Sequence, residues 1–422
     1  MFDITVFGAT GYTGKRIARE IVLCGFNGIF AIAGRNRERL EELKKALVDD
    51  GAQEADVGVI VADSNDGESL RDMTRSTKVL INAVGPFRFH GRLVVQACLE
   101  TKTDYVDVCG EPEFMERIEF DFHDEASQKE VIIASAMGFD SVPTDIGNYI
   151  VSREFSPGSC ASVETFIQLH SGPSGLALHY PTYESAVHGF GSAQELRSLR
   201  KEAAKKRGSL PQPEFPLALK SPGTFDPEVG QYVIPFMGSC PSVIKRSQNT
   251  MYHGYKKEES SLSSFDSKVY MCVPTKKSFY QFAFFGTIFK SLARYQFGRS
   301  VLLSYPKIFS GGILTHQGPT EEQLKETSFT VTCIGKGKES DGKKVTLKID
   351  GPEPGYVTCS IFIVAAARIL LTERESIKHP LHGAHGGVFT PASLLMYNKT
   401  SYIDLLEKRG ITCTMTASES EG

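Results

Sequence analysis

Apolar positions along the first third of the chain follow two rhythms in turn. Short, nearly uninterrupted β-branched runs (ITVFG, IFAIAG, VGVIVAD, VLINAVG, YVDVCG and VIIASA) are separated by stretches with apolar residues at helical spacing, such as YTGKRIAREIVL, RERLEELKKALV, GESLRDMTRS and GRLVVQACLE. That alternation predicts βαβ units. The continuous apolar character of the runs suits strands covered on both faces. Six strands in this order predict a doubly wound parallel sheet, a Rossmann domain of α/β class, over residues 1–140.

After FDSVPTDIGNYIV the rhythm changes. ASVETFIQLHSG, TLKIDG and VTCSIFIV read as strands of a mixed sheet in a second α/β domain over 141–384. The Pro-rich run at 205–228 forbids a continuous helix or central strand and reads as an excursion over the surface. A Gly-rich turn and helix near the end, HGAHGGVFTPASLLMYNKTSYIDLLEKRG, lead to the expectation that 385–422 completes the first domain.

Residues 279–314 are dense in aromatics. The apolar part from Phe279 to Phe289 is 11 residues, against the roughly 20 that a spanning helix needs. As a helix it places Phe282, Phe285, Phe289 and Leu292 on one face, with Thr287, Lys290 and Arg294 largely opposite, the pattern of a helix lying in a membrane interface. A helix pair buried against the second domain's sheet, or at a homodimer interface, fits the same periodicity.

A length of 422 residues agrees with two domains. The formal net charge of -3 gives no electrostatic reason to expect nucleic acid as a partner. Nine cysteines, an odd count without a CxxC pair, argue against a disulfide framework or zinc site, so a reduced intracellular protein with no metal is expected. The chain becomes strand-like within three residues of Met1, so no secretory signal is expected.

The first run ends in Gly8-Ala9-Thr10-Gly11-Tyr12-Thr13-Gly14, and a helix begins inside that loop. Gly8 suits the tight turn, Gly11 lets backbone approach a pyrophosphate, and Gly14 allows close helix–strand packing. The helix N-terminus would then face the phosphates. The second run ends in Gly34-Arg35-Asn36-Arg37, with no acid at the position where NAD enzymes hold the ribose hydroxyls. Arg35, 21 positions after Gly14, can instead bond the 2′-phosphate, so NADP(H) is the expected cofactor, with NAD(H) as the lesser possibility. Asp63, ending the third run, is placed either for the adenine edge or to cap the next helix.

Val84, Gly85 and Pro86 end the fourth run, where open α/β sheets put the ligand crevice, and should run beside the nicotinamide ribose. Polar groups placed to meet substrate are His90, Tyr105, Asp107, Glu111, Asp140 and Ser141. Of these, Asp140, Ser141 and His90 are the catalytic candidates. His90 reads equally as a neighbour of the fourth helix's start, and Asp140 or Ser141 as a helix cap. None of them forms a recognisable nucleophile–base pair or Tyr-x-x-x-Lys dyad.

With those residues in place, the chain resembles the saccharopine dehydrogenase-like oxidoreductases. The motifs that carry the likeness include GATGYTG, NAVGPFRFHG at 82–91, GFDSVPTDIG at 138–147, YVIPFMGS at 232–239 and GGVFTP at 386–391. The resemblance implies a Rossmann domain joined to a second α/β domain, and oxidoreductase activity. It also implies association with lipid droplets or membranes on their cytosolic face. It leaves saccharopine itself open as substrate. A lipidic carbonyl, imine or enoyl compound fits the aromatic segment as well, and a non-catalytic NADP(H)-binding scaffold or sensor is the competing reading.

Overall fold

The computed structural model describes every residue except 157, 209, 256–263, 339–341, 396 and 420–422; the side chains of 207 and 255 are also not described. The chain forms two compact units, Met1–Phe139 with Gly355–Arg409, and Asp140–Pro354 with the chain from Gly410 onward.

The first unit opens with β1 (Phe2–Phe7), α1 (Tyr12–Leu23), β2 (Phe30–Gly34), α2 (Arg37–Asp49), β3 (Val57–Val61), α3 (Gly67–Arg75), β4 (Thr77–Asn82), α4 (Phe87–Thr101), β5 (Asp104–Asp107), α5 (Pro112–Lys129) and β6 (Ile132–Ala134). The six runs read from sequence are these six strands, all parallel. Strand order places β4 and β2 on either side of β1, so the chain reverses direction across the sheet at β1/β4. A crevice at the strand ends follows from that reversal.

The second unit contains α6 (Val142–Arg153), β7 (Cys160–His170), β8 (Leu178–His179), α7 (Tyr180–Gly191), α8 (Ala193–Arg207), β9 (Thr224–Asp226), β10 (Gln231–Pro235), α9 (Cys240–Tyr255) and β11 (Asp266–Val273). It continues with α10 (Lys276–Ala293), α11 (Gln296–Ser304), α12 (Pro306–Phe309), β12 (Leu314–Thr315), α13 (Glu321–Glu326), β13 (Ser328–Gly337) and β14 (Lys343–Pro352). Its main sheet is mixed: β7 pairs parallel with β11 and antiparallel with β13. Val345, Leu347 and Ile349 of β14 are buried while Thr346, Lys348 and Asp350 between them are not, the alternation of a sheet with one covered face. The Pro-rich run begins as the last residues of α8 and then crosses this sheet without regular helix or strand until β9. Within it, the Lys220 ammonium lies over the Phe166 and Tyr270 rings and pairs with Glu164 and Asp226. Residue 209 of that run lies outside the described residues.

The chain then returns through α14 (Cys359–Thr372), β15 (Gly387–Phe389), α15 (Pro391–Leu395) and α16 (Lys399–Glu407), and ends in β16 (Thr412–Glu419). Three expectations are corrected here. VTCSIFIV forms the start of α14 instead of a strand. An apolar β-branched run does not by itself distinguish strand from buried helix, and here α14 packs on α1, β4 and β5 inside the first unit. The segment Pro354–Thr372 is long and apolar enough to cross a membrane by composition, yet 67% of it is buried. The return to the first unit therefore starts at Gly355, earlier than 385. Finally, β16 does not complete the first domain: it pairs with β14 along Thr412–Glu419 in the second sheet. The first sheet instead gains β15 as a seventh strand, parallel to β6.

Candidate functional site

The glycine loop joins β1 to α1 at the reversal point. Gly8 has φ +83°, and a Cβ there would stand 2.8 Å from the Val84 side chain and 3.1 Å from Ala83 backbone, so the loop lies directly against the end of β4. A Cβ at Gly14 would fall 2.1 Å from Gly8 O and 2.8 Å from Ala9 Cα, which fixes how closely α1 approaches the strand. Gly11 precedes α1 and gives it no side-chain cap, and the first turn carries no acid. A Cβ at Gly11 would meet just one atom, the backbone Gly8 O at 3.2 Å, which is tighter than an ordinary van der Waals contact. The helix thus presents its first N–H groups, bordered by Thr10, Tyr12 and Thr13, to open space that a phosphate can fill. These residues fit a dinucleotide.

Arg35 is exposed just past β2, whose Ala33 lies beside Phe7 of β1. It makes no ion pair among the described residues, whereas Arg37 pairs with Glu41 one turn along α2. Asn36 caps α2 by accepting from the Arg39 N–H at 2.8 Å. The cap is therefore supplied without either arginine, and Arg35 is left exposed just past the end of β2. Asp63 caps nothing: α3 is capped by Asp66, which accepts from Glu68 N at 3.0 Å. Asp63 closes a turn by accepting from the Asn65 N–H at 2.9 Å.

The ends of β4, β5 and β6 share a buried polar network. Asn82 Oδ1 accepts from Val84 N at 3.0 Å, and its amide donates to Tyr105 Oη at 3.1 Å. Tyr105 in turn donates to Asp107 Oδ2 at 2.9 Å, which also accepts from Ser135 Oγ at 3.0 Å. Asp107 Oδ1 takes the N–H groups of Cys109 and Ala136, both at 2.9 Å. Burial raises the Asp107 carboxyl to about 6, against the lowering effect of those four donors. Ala136 stands at φ +65°, a conformation that costs a non-glycine residue on the order of 1 kcal/mol, and the Asp107 bond helps hold it. The network therefore anchors the backbone that lines the crevice, from Val84, Gly85 and Pro86 to the turn after β6.

The catalytic candidates separate in this frame. His90, in the first turn of α4, has Nδ1 3.2 Å from Ser64 Oγ, so it faces the turn after β3. Glu111 is buried, accepting from Phe87 N at 2.8 Å and from Arg88 Nε at 2.9 Å, which fixes the start of α4. Ser141 is 1% exposed, and its hydroxyl is 3.2 Å from that of Ser239. It precedes α6 but makes no side-chain cap. Asp140, the first residue of the second unit, is open to solvent, yet the protein crowded about it raises its carboxyl by desolvation. Of the three it is the one exposed acid, and its carboxyl is shifted toward the protonated form.

The aromatic segment is helical, but its faces differ from the expectation. Phe289 and Leu292 turn inward against Tyr183, Val187 and Phe190 of α7, with Phe289 ring centroids 5.6 Å from Tyr183 and 5.4 Å from Phe190. Periodicity grouped them with Phe282, but the packing of α7 across α10 assigns them to core. What remains exposed is Tyr280, Phe282 and Phe284 on α10, Tyr295 just before α11, Phe297 on α11, Tyr305 and Ile308 at α12, and Ile313 beyond it. From Ser267 to Thr320 there is no Asp or Glu, while Lys276, Lys277, Lys290, Arg294 and Lys307 are exposed.

Sequence reasoning missed one cluster, His123 with His379 and His382, in which one ring nitrogen from each lies within 4.8 Å of the other two. The spacing His379-x-x-His382-x-x-His385 was the available signal.

Residues 4–134 match the saccharopine dehydrogenase NADP-binding domain family. The saccharopine dehydrogenase-like oxidoreductase of Mus musculus is 36% identical over 99% of this chain and 98% of its own length. A Caenorhabditis elegans protein named lipid droplet localized protein is 30% identical over 97% of both chains. Among solved structures, apo saccharopine dehydrogenase (L-Glu forming) from Saccharomyces cerevisiae covers 99% of this chain and 100% of its own, with a TM-score of 0.56 and 15% identity, a likeness of fold alone.

Proposed function

This chain belongs to the saccharopine dehydrogenase-like oxidoreductases and carries an NADP-binding domain, and from that premise we propose that it reduces or oxidises a C=N, C=O or activated C=C bond of a lipidic substrate. The observation that carries the cofactor half is the helix without a side-chain cap at Gly11, together with an exposed Arg35 that makes no ion pair among the described residues at the end of the neighbouring strand. The cofactor, when bound, supplies or accepts the hydride. The chain's own part is to hold and orient. Backbone from Gly8 to Gly14 binds the pyrophosphate, Arg35 binds the 2′-phosphate, and Val84, Gly85 and Pro86 flank the nicotinamide ribose. Asp140 is the group assigned to hold or release a proton at the substrate. His90, committed to Ser64, serves the turn after β3.

The lipidic half rests on the exposed aromatics of α10–α12 and the carboxylate-free, cationic stretch around them, which suit an anionic lipid surface. On this reading the protein works at a lipid droplet or membrane face.

Titration of the wild type with NADPH and NADH tests the cofactor assignment. NADPH should bind tighter, and Arg35→Ala should remove about 1–3 kcal/mol of that preference, roughly 5- to 150-fold. Equal wild-type affinities overturn it. NADPH consumption with a lipid extract and with an amino-acid and keto-acid panel, with Asp140→Asn alongside, tests the chemistry. Tight binding with no turnover on either pool would return the protein to the scaffold or sensor reading.

A further inference from the structure

We propose that His123, His379 and His382 form a zinc site in the first unit, away from the glycine loop. His123 lies on α5 and His379 is in the turn before β15; both are almost fully buried, whereas His382 is exposed. The His123 and His382 Nε2 atoms are 3.2 Å apart. Two nitrogens bound to one tetrahedral zinc at 2.0–2.1 Å stand about 3.3 Å from each other, so this pair already has ligand spacing.

The hydrogen bonds around the rings show why the pair suits a cation. His123 Nδ1 accepts from Val388 N at 3.2 Å, and His382 Nδ1 accepts from Ala384 N at 3.2 Å. Neutral rings with Nδ1 so engaged carry their proton on Nε2. The two Nε2 protons then face each other, and neither has an acceptor in the other. A bound cation replaces that opposition with two metal–nitrogen bonds. Each ring then carries its one proton on Nδ1 and gives its Nε2 lone pair to the metal, at the expense of the long contacts from Val388 N and Ala384 N, which must yield. His379 donates its Nε2 proton to Val388 O at 3.1 Å, the carbonyl partner that a metal-ligating imidazole commonly has, so its lone pair is on Nδ1. Leu381 N approaches that atom at 3.3 Å and is the contact that must yield.

Gly387 makes room for the rings. A Cβ there would stand 3.1 Å from His379 and 3.2 Å from His123. Three imidazoles without a carboxylate ligand suit zinc and the later first-row metals, and not magnesium or calcium. Exposed His382 gives the ion a way in and a coordination position open to water. Because Val388 contacts both buried rings, the ion would clip α5 to the edge strand β15.

The test uses the metal-stripped full-length protein, titrated calorimetrically with Zn2+ and by visible absorption with Co2+. One equivalent should bind, with the intense absorption of tetrahedral cobalt and a raised Tm. His382→Ala, at an exposed position, should weaken binding at least tenfold. His385→Ala should leave it unchanged, since that ring is held by Ile377 O at 3.1 Å. Absence of binding below millimolar metal, or equal affinity in His382→Ala, overturns the proposal. The rings would then be an aromatic stack only, as the parallel packing of His379 on His382 at 4.7 Å also allows.

Discussion

The two sheets bury their strands differently, and the difference decides where chemistry can occur. In the first sheet β2, β5 and β6 are buried at every position, with helices packed on both faces. Side chains there have no room for ligand, so function is pushed to the strand ends, into the glycine loop and the turns after β4, β5 and β6. In the second sheet α6 covers one face through Gly147 against Cys333 and Gly335 against Val151 and Phe155. The other face is crossed by an irregular segment, and the edge strand β16 is largely exposed. A sheet covered in this way tolerates change more readily. Its specialised surface lies outside it, on α10–α12.

The sharpest way to break this comparison is Gly14→Val. Its Cβ would fall on Gly8 O and Ala9 Cα, backbone atoms that cannot swing aside, so a loss of more than ~3 kcal/mol and of all NADPH binding is expected. Near-wild-type melting with retained NADPH affinity would show that α1 does not need its close approach.

Next in size is the pH response of Asp107. Its folded value, about 6, lies above the ordinary Asp value of about 3.9, so the stability tied to this group is complete below the unfolded value and is lost as pH rises through about 6. A shift of that size corresponds to about 3 kcal/mol. Urea unfolding of the wild type should therefore contain a component that falls between pH 4 and 7, and Asp107→Asn should lack it. The variant should be weaker at pH 4, and the gap should narrow as pH rises. A constant gap would mean that the carboxylate is not strained by burial.

These two sites also mark what could be read from residues alone. The glycine loop between β1 and α1 and the six strands were legible because each depends on neighbours within one βαβ unit. TLKIDG was legible as strand, part of β14, for the same local reason. Legibility ended where partners are distant in sequence. VTCSIFIV has the composition of a strand and becomes a helix because α1 and β4 lie beneath it. The polar run TCTMTASE gives no apolar period, and its place as β16 is set by β14. Asp107 was visible as a strand-end carboxylate, but its enclosure by Tyr105, Ser135 and Ala136 was not. His123 lies more than 250 residues from its two partners.

The aromatic segment sharpens the comparison in the second unit. Phe289 is half-buried among Tyr183, Phe190 and Leu302, so Phe289→Ser should lower stability by about 2 kcal/mol, part of the 3–5 lost when a fully buried Phe is truncated. Thermal unfolding checks this. No change would mean that α10 is not packed on α7.

The smallest expected stability effect is the most informative about function. Phe284 and Phe297 are 61% and 79% exposed, and a serine at either site removes little packing, so Phe284→Ser/Phe297→Ser should melt within about 0.5 kcal/mol per site of the wild type. If these rings enter lipid, each contributes on the order of 1.5 kcal/mol or more by leaving water, and the pair should change the partition onto artificial droplets at least tenfold. Flotation with anionic droplets therefore reads a quantity that folding does not. The wild type should float and the double variant should stay in the aqueous layer while remaining folded. Raising salt should weaken wild-type flotation, because Lys276, Lys277, Lys290, Arg294 and Lys307 are exposed around the rings and screening acts on such charges. Equal flotation of wild type and variant would remove the lipid surface from this face. Concentration-dependent self-association of the wild type, abolished in the double variant, would assign the rings to a contact between copies of the chain.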